Sequence, residues 1–277
     1  DPVDILTHLL GGFEGTLGFV AEITLATVPD YPHKASALVF FADVGQAARA
    51  AERLKNTAVS SAELMDRASL RSVESKPGLP SVLRSLHRDA CALLVEVRAP
   101  DAPTLMRDMQ ETSQALSAMP LLAPPRFVTA KDEVERLWDV RRGLFPAVGA
   151  ARRPGTTVVI EDVVFPPGAL AQGTIDLRRL LDAHGYTEAI IFGHALDGNL
   201  HFVFTPDFGD PSELIRYRDF MTAVSELVVG TYDGSLKGEH GTGRNMAPFV
   251  EQEWGKVAYG IMREIKALFD PRGVLNP

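Results

Sequence analysis

The stretch Gly193-His194-Ala195-Leu196-Asp197-Gly198-Asn199-Leu200-His201 separates two short apolar runs, Glu188–Phe192 and Phe202–Phe204. Asp-Gly favours a tight hairpin turn, because glycine takes a positive φ without steric cost. With Asp197 and Gly198 as the two central turn residues, Leu196 faces Asn199, Ala195 faces Leu200 and His194 faces His201. Directly opposed residues of an antiparallel pair share a face, with Cβ atoms about 5 Å apart. Two imidazoles held that way suit a transition-metal ion if a third ligand arrives from elsewhere. The plainer alternative is a hairpin with two polar residues on its wet face.

A second polar cluster, Lys237-Gly238-Glu239-His240-Gly241-Thr242-Gly243-Arg244, offers that ligand. Glu239 is an oxygen donor with His240 beside it. Neighbours in a regular strand point to opposite faces, so one site can use both only if the backbone turns. Glycines at 238, 241 and 243 make such a turn easy. Without a metal the same stretch reads as a glycine-rich surface loop.

Composition narrows the class. The chain has 277 residues, 45% of them hydrophobic and 23% charged, which is ordinary for a globular protein with a sizeable core. A net charge of −8 argues against a broad nucleic-acid or membrane-surface footprint, while a local arginine can still serve a small anion. No apolar run reaches the roughly 18–20 residues of a membrane span, and no signal-peptide pattern appears. The single cysteine, Cys91, lies in the apolar run Cys91–Val95 and reads as core, which excludes disulfides within the chain and fits a reducing, cytoplasmic setting. The start at Asp1 and the stop at Asn276-Pro277 read as an excised piece of a larger protein.

Residues 1–30 differ from the rest. Gly11–Gly18 is a glycine-dense loop, and Phe19–Val28 has the pattern of a strand. Glycines at 12, 15 and 18 allow close backbone approach to a ligand such as a pyrophosphate, without matching a P-loop or dinucleotide fingerprint. Pro29-Asp30-Tyr31-Pro32 marks a boundary. From residue 35 strands are expected over Ala35–Phe41, Ser60–Leu64, Ala90–Arg98 and Thr157–Phe165, with an edge strand at Phe127–Thr129. Helices are expected over Val44–Leu54, Arg67–Glu74, Pro103–Ala118, Asp132–Leu144, Gly168–His184, Pro211–Tyr232 and Pro248–Phe269. The order implies an α+β fold, an antiparallel sheet covered by helices on one face. In the last helix Trp254, Ala258, Ile261, Ile265 and Leu268 form the expected buried stripe. Arg141 and Arg142 close the Asp132–Leu144 helix, where they either complement its dipole or hold a carboxylate.

Several of these motifs, in this order, resemble one family. Gly193–His201 is similar to the Gly-His-x-x-Asp-Gly-Asn-x-His motif of the FAD-linked oxidase C-terminal domain, and Lys237–Arg244 to its Gly-Glu-His-Gly-x-Gly-Arg motif. The tail Ile265–Pro277 resembles the family's last segment, and Gly12–Leu25 the stretch that closes the preceding FAD-binding domain. The resemblance implies ferredoxin-like repeats, with residues 1–30 ending an otherwise missing FAD-binding domain and 31–277 forming the substrate-binding cap domain. It also implies oxidation of a D-2-hydroxy acid such as D-lactate, D-2-hydroxyglutarate or glycolate, within the vanillyl-alcohol-oxidase superfamily. By motif position, His194, His201 and Glu239 would hold Zn²⁺ or another divalent ion. His240 would take the substrate hydroxyl proton, and Arg141 would bind the carboxylate. Gly12, Glu14, Gly15, Thr16, Gly18 and Asn276 would lie near the flavin. Details such as Asp1–His8 and Arg244–Pro248 resemble the long branch, whose parent proteins add an iron–sulfur domain. Electrons would then leave through that domain or a carrier, from a protein that is cytoplasmic or peripheral to the inner membrane and able to form a homo-oligomer. Where 2-hydroxyglutarate enzymes place a lysine for the distal carboxylate, Thr157–Asp162 has none, leaving that task to Arg142, Arg152 or Arg153. Two other readings use fewer of these residues: a hydrolase with a zinc-bound water and His240 as base, and a non-catalytic remnant.

Overall fold

Most of the expected elements form in the computed structural model, which describes residues 1–75, 79 and 81–277. In chain order they are α1 (Pro2–Leu10), β1 (His33–Phe41), α2 (Val44–Leu54), β2 (Val59–Met65), α3 (Arg67–Val73), β3 (Cys91–Ala99), α4 (Ala102–Ser117), α5 (Lys131–Arg142), α6 (Leu144–Ala151) and β4 (Val159–Val164). There follow α7 (Leu170–Ala183), β5 (Ile190–His194), β6 (Asn199–Phe204), α8 (Pro211–Ser225), α9 (Gly243–Met246) and α10 (Val250–Phe269). Aspartates start several helices: the carboxylates of Asp43, Asp66, Asp101 and Asp210 accept from backbone N–H groups of the first turns of α2, α3, α4 and α8.

The six strands form one sheet in the order β1-β3-β2-β5-β6-β4, every neighbouring pair antiparallel. The sheet repeats one pattern twice. β1 and β2 flank β3 with α2 as crossover, and β4 and β5 flank β6 with α7 as crossover. The α+β class and the repeats expected from the sequence are therefore those of the structure. β2 and β5 join the halves, pairing Glu63 with His194.

Helices cover both faces of the sheet, not one. α2, α4, α7 and α8 bury Val39, Phe41, Leu93, Phe202 and Phe204, and on the other face α3, α5 and α6 bury Leu38, Phe40, Leu94, Phe192 and Val203. The cause lies in strands such as Ala35–Phe41, apolar at nearly every position, which need cover on both sides.

Five further expectations change. β5 ends at His194, which pairs with Asn199, and His201 pairs with Phe192, so the two histidines are not directly opposed. A two-residue hairpin turn needs positive φ at its first centre, and type I′ at both, but of the pair only Gly198, the second, has it (+72°). Ala195 N–H instead donates to Ala62 O at 2.9 Å, lengthening the connection to residues 195–198. Phe19–Val28 is not a strand; Phe19 is 90% exposed. The sheet edges are already met elsewhere, β1 by Leu121 and Val128 and β4 by Ser235, which also reduces Phe127–Thr129 to a single bridge. The Asp132–Leu144 helix breaks at Gly143 into α5 and α6. The stripe of α10 is not buried: Trp254, Ile261 and Leu268 are exposed, and Gly255 at φ +77° kinks the helix.

A Cβ placed on Gly198 would stand 2.2 Å from the Phe165 carbonyl oxygen, at a φ that side chains rarely adopt. Gly198→Ala is expected to destabilise the fold by about 2 kcal/mol or more. Gly149→Ala, with nothing within 4 Å of the added atom, is expected to be neutral or mildly stabilising. Urea midpoints at constant m-value check both.

Candidate metal centre

The central strands project polar groups onto one face. His194 at the end of β5 lies beside Glu63 of β2, its Nδ1 2.8 Å from Oε1. Arg141, from the last turn of α5, donates Nε to the other oxygen of Glu63 at 2.8 Å, and its guanidinium carbon sits 4.4 Å from the centre of the Phe192 ring. Burial raises the Glu63 pKa, but the hydrogen bond from His194 and the charge of Arg141 outweigh it and hold the carboxyl low. The Glu63 hydrogen bond in turn pushes His194 up to about 9, with Glu239 adding to the shift.

One register step away on the same face, His201 of β6 is 2% exposed and pairs across the strands with Asp162 of β4. Its desolvation, aided by His240 and Arg141, lowers the imidazole to about 3. Asp162, 1% exposed, spends one oxygen on the incoming loop: Oδ2 accepts from the N–H groups of Gly238 (2.8 Å), Glu239 (2.6 Å) and His240 (3.4 Å). A Cβ on Gly238 would fall 2.8 Å from that oxygen, so the loop reaches the sheet only with glycine there.

The turn of the loop lets neighbouring residues serve one site. Glu239 Oε1 lies 3.0 Å from His194 Nε2 and 3.2 Å from His201 Nε2, and the three donors are within 4.8 Å of one another. His240 stacks on His201 with ring centres 4.8 Å apart, and its Nδ1 is 3.9 Å from Asp162 Oδ1. The histidines expected to share a metal thus converge, diagonally rather than in opposition. The donor set fits a divalent ion. Glu63 on Nδ1 of His194 directs Nε2 inward, the usual support for a metal-bound imidazole. Among the described residues the buried Nδ1 of His201 has no partner, and Nε2 is the nitrogen turned toward Glu239.

The N-terminal loop and the C-terminal tail meet beside this centre. Asn276 donates Nδ2 to Glu14 O at 2.9 Å and its backbone N–H to Gly15 O at 3.2 Å. Glu14 itself points its carboxylate at Gly243 N–H. Gly12 and Gly15 take φ of +72° and +73°, and Thr16 Oγ1 donates to Phe13 O at 2.7 Å, closing the loop on itself; Gly18 carries no positive φ. Arg142 is spent on Asp139, and Arg152 on Gly149 O and Thr156 O, so neither is directed at the centre.

Comparison with known proteins shows the family. The family of FAD linked oxidases, C-terminal domain, matches residues 31–277. The chain belongs to that family. The glycolate oxidase subunit GlcD of Bacillus subtilis is 30% identical over 98% of this chain and 56% of its own length. A mitochondrial D-lactate dehydrogenase [cytochrome] of Arabidopsis thaliana is 31% identical over 98% of the chain and 46% of its length. The chain thus spans about half the length of these curated relatives. The solved alkyldihydroxyacetonephosphate synthase, 16% identical, covers 98% of the chain and 49% of its own with a TM-score of 0.64, a likeness of fold.

Two residues of this FAD linked oxidase domain escape motif reading: Glu63, which orients His194, and Asp162, which anchors the loop. Each interrupts an apolar strand with a buried charge, the one signal a sequence carries for such a role. Glu161, next to Asp162 but on the opposite face, is 7% exposed and is pushed up to about 7, chiefly by burial. Its carboxyl accepts from Asn245 Nδ2. The folded state therefore holds this proton more tightly than the unfolded chain, and the associated stability is complete below about pH 4.5 and lost as pH rises through about 7. Glu161→Gln keeps the acceptor and removes the charge. Its stability relative to the wild type is expected to improve between pH 4.5 and 8 by on the order of 3 kcal/mol, read from denaturation at each pH. A pH-independent difference would contradict this.

Proposed function

We propose that this domain is the substrate-binding and catalytic lobe of an FAD-linked, divalent-metal-dependent D-2-hydroxy-acid dehydrogenase of D-lactate, D-2-hydroxyglutarate or glycolate type, yielding the 2-oxo acid. The supporting observation is the convergence of His194, His201 and Glu239 beside His240 and Arg141. A divalent ion held by the first three would act as a Lewis acid toward the substrate oxygens, and FAD, bound mainly outside this lobe, would take the hydride. The remaining work falls to the chain. His240, with Asp162 facing its Nδ1, presents Nε2 to accept the hydroxyl proton. Arg141, steadied by Glu63 and the Phe192 ring, holds the substrate carboxylate through its outer nitrogens.

The exposed apolar residues Phe19, Ile23, Leu25, Val257 and Leu268 support a lobe that meets a flavin-binding partner domain. A hydrolase would use the same donor set but gives no reason for Asn276 and Lys266 to hold the 14–16 loop. With Arg142 and Arg152 engaged elsewhere and no lysine in Thr157–Asp162, a distal carboxylate would fall to Arg153 alone of the three arginines, so a monocarboxylate makes fewer demands on the site.

Elemental analysis tests the centre. The chain is expected to carry about one divalent ion, absent from the His194→Ala, His201→Ala double variant. Affinity is expected to rise from pH 6 to 9, because a His194 held at about 9 must release a proton to become a ligand. No ion in the wild-type chain at any pH would refute metal binding by this lobe.

A further inference from the structure

We infer that Glu14 is a positioning residue for the loop that carries Glu239 and His240. It sits in the glycine-rich N-terminal loop at φ +53°, a left-handed conformation uncommon for a residue with a side chain. The C-terminal tail holds it there. Asn276 bonds the carbonyls of Glu14 and Gly15, and Lys266 Nζ donates to Thr16 O (2.9 Å), Asn276 O (2.7 Å) and Asp270 Oδ2 (2.7 Å). Asp270 also accepts from the N–H groups of Val274 (2.8 Å) and Leu275 (3.0 Å), folding the tail back onto the loop.

With its backbone held, Glu14 reaches across to the catalytic loop. Both carboxylate oxygens accept from Gly243 N–H, at 3.2 and 3.0 Å. A Cβ on Gly241 would stand 2.3 Å from Glu14 Oε1, so the carboxylate also packs on that backbone. Gly241 and Gly243 have φ of +76° and +59°, so this half of the loop has little conformational preference of its own. Asp162 clamps the first half, Gly238–His240, from the sheet; Glu14 clamps the second half from outside. Glu239 and His240 lie at the junction of the two clamps. The glutamate of the expected flavin loop is thereby committed to the proton acceptor and metal ligand, coupling the two halves of the reaction through one carboxylate.

The role rests on the reading of Glu239 and His240 given above, whereas the contact does not, and the test separates them. Amide hydrogen exchange and Zn²⁺ titration are measured on the 277-residue chain as wild type, Glu14→Ala, Glu14→Gln and, as a control on an exposed carboxylate, Glu22→Gln. In Glu14→Ala, exchange at Gly243 is expected to rise about tenfold or more, and the Zn²⁺ dissociation constant about five- to tenfold, with an unchanged urea midpoint. Glu14→Gln, which keeps an acceptor oxygen, is expected to restore most of both, and Glu22→Gln to match the wild type. Wild-type exchange at Gly243 in Glu14→Ala overturns the clamp, and raised exchange with unchanged Zn²⁺ affinity overturns the positioning role. If the wild-type chain binds no Zn²⁺, the metal reading fails on its own. Exchange then decides the clamp: raised rates in Glu14→Ala uphold it and unchanged rates overturn it.

Discussion

One buried carboxylate oxygen, Oδ2 of Asp162, accepts from three consecutive backbone N–H groups at Gly238, Glu239 and His240. A carboxylate taken out of water must be compensated, and oriented amide dipoles are a compensation available without a counter-ion. The bond reverses the loop so that adjacent residues, which a strand would send to opposite faces, both turn toward the sheet. Without it the carboxylate of Glu239 and the ring of His240 have no fixed relation to His194 and His201.

The sheet supplies the other half of that relation. Its two repeats meet at β2 and β5, and this seam pairs Glu63 with His194. His201 comes from the next strand of the second repeat, and Arg141 from a helix that follows the first. The centre therefore draws on both repeats, and neither could build it alone. The second face needs cover for the same reason: α3, α5 and α6 seal its apolar part and bring Arg141 over Phe192.

Polar contacts fix the C-terminal segment beside the site, whereas the loop of Glu239 and His240 is also bracketed by Leu236 and Met246, both buried in the core. α10 buries no residue fully, yet Lys266 and Asp270 secure its end to the loop at Glu14 through hydrogen bonds. The pairing lowers Asp270 to about 2, chiefly through the Lys266 hydrogen bond. Apolar surfaces on residues 19–28 and on α10 stay open. Among the described residues no helix is long and apolar enough to cross a membrane.

Local chemistry was legible in the sequence wherever a residue type alone carries it. The apolar runs place the strands, the aspartates before helices set their starts, and the two His-containing motifs name the donors of the centre. Register was not legible. Asp-Gly suggested a two-residue turn, but capture of Ala195 by Ala62 on a strand distant in sequence extended it and moved His201 opposite Phe192. Nor could periodicity show that Phe19–Val28 lacks a partner strand or that the stripe of α10 stays exposed, because both depend on what lies beside them. Glu63, Asp162 and the reach of Glu14 to Gly243 arise only when segments up to 229 residues apart meet. Periodicity and motif are properties of neighbours along the chain, whereas orientation of a ligand is a property of neighbours in space.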